Sequence, residues 1–306
     1  MDGRSSDGSR AILDELAAAD PSVIVLDNHA GWTPHALNLA LRAARGEFVV
    51  RMDAHTRYPP DYVARGVERL RAGDVDWVSG PQLAEGHGVW SRRVALALSS
   101  RLGTGGAGYR HAAAAEHEVD SGFTGLWPRA TLERHGGWDE EWINDQDYEL
   151  AARIRKAGGR ILCVPELAAA YLPRDSLGAL WRQYHRYGFY RVKTSLRHPE
   201  SLRPSQLLPP AMLATVAAAA GAPRPLRRIA RAGVAVYAGA LAAAGARELG
   251  RAPVRDALSV PLVLATMHVA WGAGFLRGCG RLGPPVRAVG HVAAQLRRRG
   301  NPLTPR

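Results

Sequence analysis

Three short segments carry side chains with which this sequence could do chemistry. The first is Asp2-Gly3-Arg4-Ser5-Ser6-Asp7-Gly8, two carboxylates among turn formers. The second, Arg51-Met52-Asp53-Ala54-His55, offers a carboxylate and an imidazole two residues apart, a pair able to hold a divalent cation through oxygen and nitrogen. The third, Asn144-Asp145-Gln146-Asp147-Tyr148-Glu149-Leu150, is a cluster of carboxylates from which a general base could be drawn. Each also has a plain structural reading: a turn capping the helix that follows Ser9, a surface loop, and a helix start whose acids complement its dipole.

The elements around these segments decide which reading holds. The first 165 residues alternate short apolar runs with helical stretches, the pattern of βαβ units and a mainly parallel sheet. Val23–Leu26 reads as a strand, and 34–45 as a helix with Thr33 as N-cap and Pro34 at its first position. Glu47–Met52 reads as a strand that leaves Asp53 just past its carboxyl end, where open α/β sheets place ligands. A helix begins after Pro59, Pro60 and Asp61, with Val63, Val67 and Leu70 on its inner face, and Asp76–Ser79 returns as a strand. Gly136, Gly137 and Trp138 make a turn, Asn144–Ala157 a helix ended by Gly158 and Gly159, and Ile161–Val164 a strand. The run Gly103 to Gly108 interrupts this rhythm and reads as a mobile lid over the site.

Beyond this region the character changes. In Ser176–Arg197, Trp181, Tyr184, Tyr187, Phe189 and Tyr190 alternate with Arg182, Arg186, Arg191 and Lys193, which suits a helix at a membrane interface. Leu207–Ala222, Ile229–Ala246 and Ala257–Phe275 are Ala-rich apolar stretches. A bilayer core of about 30 Å needs about 20 apolar residues, so the third is the best candidate span; the first two fall short or carry a charge such as Arg231. The expected division is 1–175 for the catalytic domain, 176–205 for an interfacial helix and linker, 206–280 for two or three membrane helices, and 281–306 for a basic tail.

Charge follows the same division. The 306 residues carry a formal charge of +12, yet residues 1–200 hold 25 basic and 26 acidic side chains, and 201–306 hold 15 and 2. A nucleic-acid-binding domain would place the excess on its folded part, so nucleic acid is not expected as a partner; arginines flanking apolar runs point instead to anionic lipid. Two cysteines, Cys163 and Cys279, exclude a disulfide scaffold and a cysteine-based zinc site. No secretory signal is evident in Met1–Arg10.

Taken in order, the three segments together with Gln183-Tyr184-His185-Arg186-Tyr187 resemble the inverting glycosyltransferases of family 2, most closely the bacterial exopolysaccharide branch of succinoglycan type. The resemblance extends through VLDNHAGWTPHALNLAL, ARGEFVVRMDAHTRYPPDYV, VDSGFTGLWPR, NDQDYELAARIRKAGGRI, RQYHRYGFYRVK and MHVAWGAGFLRG, nearly the whole chain. It implies a GT-A, Rossmann-like α/β domain followed by hydrophobic membrane helices, at the plasma membrane with the catalytic domain on the cytoplasmic side.

The resemblance also implies roles. Asp2 and Asp7 match positions that hold the nucleoside of a nucleotide-sugar, here a UDP-sugar. Asp53 matches the carboxylate on the Mg²⁺ or Mn²⁺ of the diphosphate, with His55 where many members have a second Asp. Asp147 matches the catalytic base, behind Gln146 where Glu is common. Gln183 and Arg186 match a Gln-x-x-Arg-Trp motif lining the acceptor site, with Tyr187 in place of Trp. The acceptor is then a lipid-linked sugar or a polysaccharide. The family places a strand and helix before the Asp-Gly-x-Ser segment, whereas here Met1 directly precedes Asp2, so those elements are expected to lie upstream of this sequence. A polyprenyl-phosphate glycosyltransferase and a non-catalytic membrane-tethered scaffold are the alternatives.

Overall fold

The structure, a computed structural model, describes residues 1–105, 109 and 115–299. They form two compact units that interleave along the chain. The first comprises Met1–Met52, Pro60–Gly80 and Glu116–Glu166, the second Asp53–Pro59, Pro81–Ala115 and Leu167–Arg306.

The first unit is built on five strands, β1 (Phe48–Arg51), β3 (Trp77–Ser79), β5 (His117–Glu118), β6 (Gly125–Pro128) and β7 (Ile161–Cys163), ordered β1-β6-β3-β7-β5. Helices α1 (Ser9–Ala19), α2 (Thr33–Ala43), α3 (Tyr62–Arg71), α6 (Arg129–Arg134) and α7 (Gln146–Lys156) complete it. The α/β class is the one expected, but the ladder is mixed. Only β3 and β7 pair in parallel; β6 runs antiparallel between β1 and β3, with Arg51 opposite Gly125. Alternation of strands and helices gives the α/β class but not the direction of each strand, and β6 enters between β1 and β3 in the opposite sense. Beneath the sheet three fully buried indoles interlock: Trp77 and Trp127 at 4.8 Å between centroids, Trp127 and Trp138 edge-on at 5.6 Å.

Two expectations in this unit need correction. The segment 23–26 is not a strand; its ladder contact is the isolated parallel bridge of Asp2 with Asp27, and Ile24 is exposed. An apolar run becomes a strand only with a neighbour to take its hydrogen bonds. The inner face of α3 is the i, i+4, i+8 row of Tyr62, Gly66 and Leu70, while Val63, one residue off that row, is exposed.

The second unit holds a small sheet of β2 (Thr56–Arg57), β8 (Ala169–Tyr171) and β4 (Gln82–Ala84), with β8 central. Its helices are α4 (Val89–Ser99), α5 (Arg101–Thr104), α8 (Leu177–Arg197), α9 (Leu208–Gly221), α10 (Arg224–Ala246), α11 (Val254–Leu282) and α12 (Val286–Arg299). The expected lid begins instead in α5, ended by Gly105 at φ 60°; residues 106–108 lie outside the described residues.

Helix α8 carries one buried face and one exposed face, with Trp181, Arg182 and Arg186 exposed. Leu180, Gln183, Gly188, Arg191 and Val192 are buried, and α8 packs closely along α11. Gly188 and Gly274 make this possible: a Cβ at Gly188 would stand 2.0 Å from the Trp271 carbonyl oxygen, and one at Gly274 1.9 Å from that of His185. Val192 also joins Leu202, Phe275, Ala288 and Val292 in one cluster, which docks α12.

Among the described residues two helices are long and apolar enough to cross a membrane, α10 with 23 residues and α11 with 29, each holding a stretch of mean hydropathy 1.4. The second apolar stretch therefore does reach spanning length, because its helix begins at Arg224, ahead of the apolar run. Its outer face is exposed at Leu226, Ile229 and Val236.

Electrostatic contacts tie the first unit together. Arg69 pairs with Asp74 at 2.6 Å and Glu116 at 2.8 Å, and Arg160 with Asp74 at 3.0 Å. The Arg69 guanidinium holds the Asp74 carboxyl at about 2, below its ordinary 3.8. A carboxyl depressed in the folded state adds stability above its unfolded value, and that contribution is lost as pH falls towards the folded one. Asp74→Asn should therefore flatten the fall of the denaturation midpoint between about pH 4 and pH 2; an unchanged acid limb would contradict the pairing. Within α7 the fully buried Glu149 carboxylate accepts from Arg153 at 2.6 and 2.9 Å, while Arg153 also donates to the carbonyls of His135 and Gly137. Removing one partner strands the other, so Glu149→Ala should cost about 3–5 kcal/mol in chemical denaturation.

Candidate functional site

In the first unit the acidic helix start resolves into three distinct carboxylates. Asp145 is the N-cap residue of α7 in the left-handed region, φ 65°, and its carbonyl accepts from Glu149 N at 3.0 Å. Glu149 faces inward to Arg153. Asp147, in the first turn, faces the sheet, and its Oδ1 accepts from Arg51 Nη1 at 2.7 Å. Arg51 closes β1 and its side chain is 8% exposed, against 18% for Asp147. The pair therefore fixes a helix-start carboxylate at the end of a strand, two residues ahead of Asp53 in the chain. Sequence reasoning quoted Arg51 only as a neighbour of Asp53; its charge among apolar strand residues was the available signal.

Asp2 and Asp7 lie in the same unit. Asp2 is buried and bridges to Asp27 through Asp2 N to Leu26 O at 2.9 Å and Asn28 N to Asp2 O at 2.7 Å. Ser5 N donates to its Oδ1 at 3.2 Å, and hydrogen bonding from the Ser5 side chain first, and then from its backbone, lowers the Asp2 pKa. Arg10 stands 3.9 Å from Asp2 and donates to Asp14 and Asp27. Asp7 is exposed ahead of α1 and accepts from Ser9 N at 3.1 Å; the Ser9 side chain first, and then its backbone, lower the Asp7 pKa.

In the second unit Asp53 and His55 sit on a tight turn entering β2. Thr56 N donates to the Asp53 carbonyl at 3.0 Å, Asp53 N to the Tyr58 hydroxyl at 2.8 Å, and Leu172 N to the His55 carbonyl at 3.0 Å. The His55 ring meets Tyr171 edge-on, centroids 5.3 Å apart at 71°. Among the described residues no group of three or more His, Cys, Asp or Glu forms a self-sufficient metal site. One oxygen and one nitrogen donor on a single turn suit a cation whose other positions are filled by diphosphate oxygens and water.

Also in this unit, the buried Gln183 amide donates from Nε2 to the hydroxyls of Tyr187 at 3.0 Å and Tyr171 at 3.2 Å. These residues line a small pocket of about 10 Å³ with Val94, Leu98, Pro173, Leu180 and Tyr184. The structure thus brings Gln183 and Tyr187 together. Arg186 is exposed, is not among the lining residues, and lies close enough to Tyr190 to oppose the rise in that phenol's pKa caused by burial. Tyr171 was missed from the sequence because its neighbours come from β2 and α8.

The sequence signature described as Glycosyl transferase family 2 matches residues 1–123. The succinoglycan biosynthesis protein ExoA of Rhizobium meliloti (strain 1021) is 35% identical over 280 residues, covering 90% of this chain and 83% of that protein. Among solved structures, the mannosyltransferase PcManGT from Pyrobaculum calidifontis, in complex with GDP-Man and Mn²⁺, is similar with a TM-score of 0.48 and 21% identity, over 90% of this chain and 76% of that one. On the extent and identity of the match to the Rhizobium protein, the chain belongs to glycosyltransferase family 2 and is a glycosyltransferase.

Proposed function

We propose that the chain moves glucose from a nucleotide-diphosphate donor, UDP-glucose, to a lipid-linked or polysaccharide acceptor, with inversion, in exopolysaccharide biosynthesis at the plasma membrane. The observation that carries this is the Arg51–Asp147 pair, which holds one carboxylate at the end of β1 just ahead of Asp53 in the chain. The relative of known pathway role, a succinoglycan biosynthesis protein, supports the acceptor class.

In this reading the acceptor hydroxyl attacks the anomeric carbon as the bond from that carbon to the diphosphate breaks. The hydroxyl proton passes to the Asp147 carboxylate, and the bonding electrons leave with the nucleoside diphosphate. Arg51 fixes where that carboxylate stands. One base without a protein nucleophile gives direct displacement, hence inversion, by the logic that separates inverting from retaining glycosidases. Asp2 and Asp7 bind the nucleoside. Asp53 and His55 are the residues that would hold Mg²⁺ or Mn²⁺, which when bound offsets charge on the departing diphosphate as a Lewis acid. Gln183 and Tyr187 line the acceptor pocket, and Arg186, exposed on the same helix, is the cation offered to the acceptor. Helices α10 and α11 span the membrane, and the basic flanks lie against anionic headgroups on the cytoplasmic side, which keeps the site near a lipid-linked acceptor.

The test uses the full chain in lipid nanodiscs with UDP-glucose, Mn²⁺ and a panel of farnesyl-diphosphate-linked mono- and disaccharides. Transfer with inverted anomeric configuration by NMR is expected. Asp147→Asn should lower kcat by about 10²–10⁴-fold while UDP binding is retained. A retained configuration, or turnover persisting in Asp147→Asn, would overturn the assignment.

A further inference from the structure

The segments read from sequence as cation site and acceptor site are separate stretches of chain, yet inside the second unit one side chain touches both. Tyr171 closes the central strand β8, whose register sets it opposite Thr56 of β2 and Ala84 of β4. Residues alternate across a sheet, so Tyr171, Thr56, Ala84, Ala169 and Gln82 share one face. On that face the Tyr171 ring meets His55 edge-on, the arrangement in which a ring edge meets a π-cloud favourably, and the bond from Leu172 N to the His55 carbonyl locks the two backbones in step. At the other end of the side chain, the hydroxyl accepts from Gln183 Nε2.

That second contact matters for direction as well as for stability. An amide nitrogen has two N–H groups, and the Gln183 Nε2 spends its contacts on the hydroxyls of Tyr171 and Tyr187. Two partners fix the amide plane, and the plane fixes where the carbonyl oxygen Oε1 points. With Tyr187 alone, one turn along α8, the amide would be free to turn about that contact. Tyr171 comes from a different element, and so ties the orientation of Gln183 to the sheet that also carries the His55 turn.

We propose that Tyr171 is a positioning residue for the transfer reaction: its ring sets the His55 turn, and its hydroxyl sets the amide of Gln183 for recognition of an acceptor hydroxyl. This rests on the acceptor role given to Gln183 above. The two ends separate by mutation. Tyr171→Phe keeps the ring and removes the hydroxyl; Tyr171→Leu removes both; Gln183→Ala removes the group acted upon.

The measurements are steady-state transfer to the farnesyl-diphosphate-linked panel and calorimetric binding of Mn²⁺ in the presence of UDP, on the full chain in nanodiscs. Tyr171→Phe should raise the acceptor KM about three- to tenfold, the range of one lost hydrogen bond, with the donor KM and Mn²⁺ binding unchanged. Tyr171→Leu should add a weakening of Mn²⁺ binding, and Gln183→Ala should raise the acceptor KM at least as much as Tyr171→Phe. If Gln183→Ala raises the acceptor KM and Tyr171→Phe does not, the positioning role falls and the acceptor reading stands. If neither changes it, both fall. A drop in kcat with every KM unchanged, tracking the folded fraction, would show a merely structural tyrosine and overturn the proposal.

Discussion

The ion pair between Arg51 and Asp147 is the constraint on which the first unit depends. A guanidinium at the end of a strand, almost wholly withdrawn from water, is costly to leave without an anion, and β1 offers none of its own. The partner comes from α7, 96 residues along the chain. Its placement needs two further devices. The left-handed Asp145 turns the chain sharply into the helix, and the buried Glu149–Arg153 pair, tied to the carbonyls of His135 and Gly137, fixes the helix about its axis. Turn, anchor and ion pair together leave Asp147 with one orientation. The general-base role proposed for Asp147 needs this fixed placement, since a base acts only within hydrogen-bond reach of the proton it takes.

In the second unit the same economy appears in different form. A three-stranded sheet too small to stand alone is backed by α8, and α8 by α11, with glycines on each helix allowing backbone to approach backbone. The tyrosines and Gln183 of the pocket are held between sheet and helix. The apolar outer faces of α9 and α10 carry almost no buried side chains of their own, and the excess positive charge of the chain lies in the same third of the sequence. The proposed membrane span and the backing of α8 therefore fall on one helix, α11.

Much of this was legible in the residues. Helix α2, strand β1 with Asp53 after its end, the Gly136–Gly137 turn, α7 and β7 all follow from local signals: Pro at a helix start, short β-rich runs, paired glycines. What escaped depends on partners distant in sequence. The run 23–26 has the composition of a strand, but composition cannot supply a neighbour. Val63 fits a helical row whose phase is set by Leu126 and the other side chains of β6, against which α3 packs. The aromatic and arginine alternation of α8 does not reveal that one face packs along α11, because the close approach at Gly188 and Gly274 depends on a partner distant in sequence. At the site, Asp147 and Gln183 were visible as types in order, whereas Arg51 and Tyr171, which orient them, were not, because orientation is a property of long-range packing.

The central claim is that Arg51 acts on the reaction through Asp147. A double-mutant cycle on kcat/KM with Arg51→Met and Asp147→Asn tests it directly, since residues acting as a unit show non-additive losses. The account predicts that Arg51→Met impairs the wild-type enzyme and does nothing further once Asp147 is Asn. Losses that multiply in the double variant would show that the two residues act independently, and would contradict it.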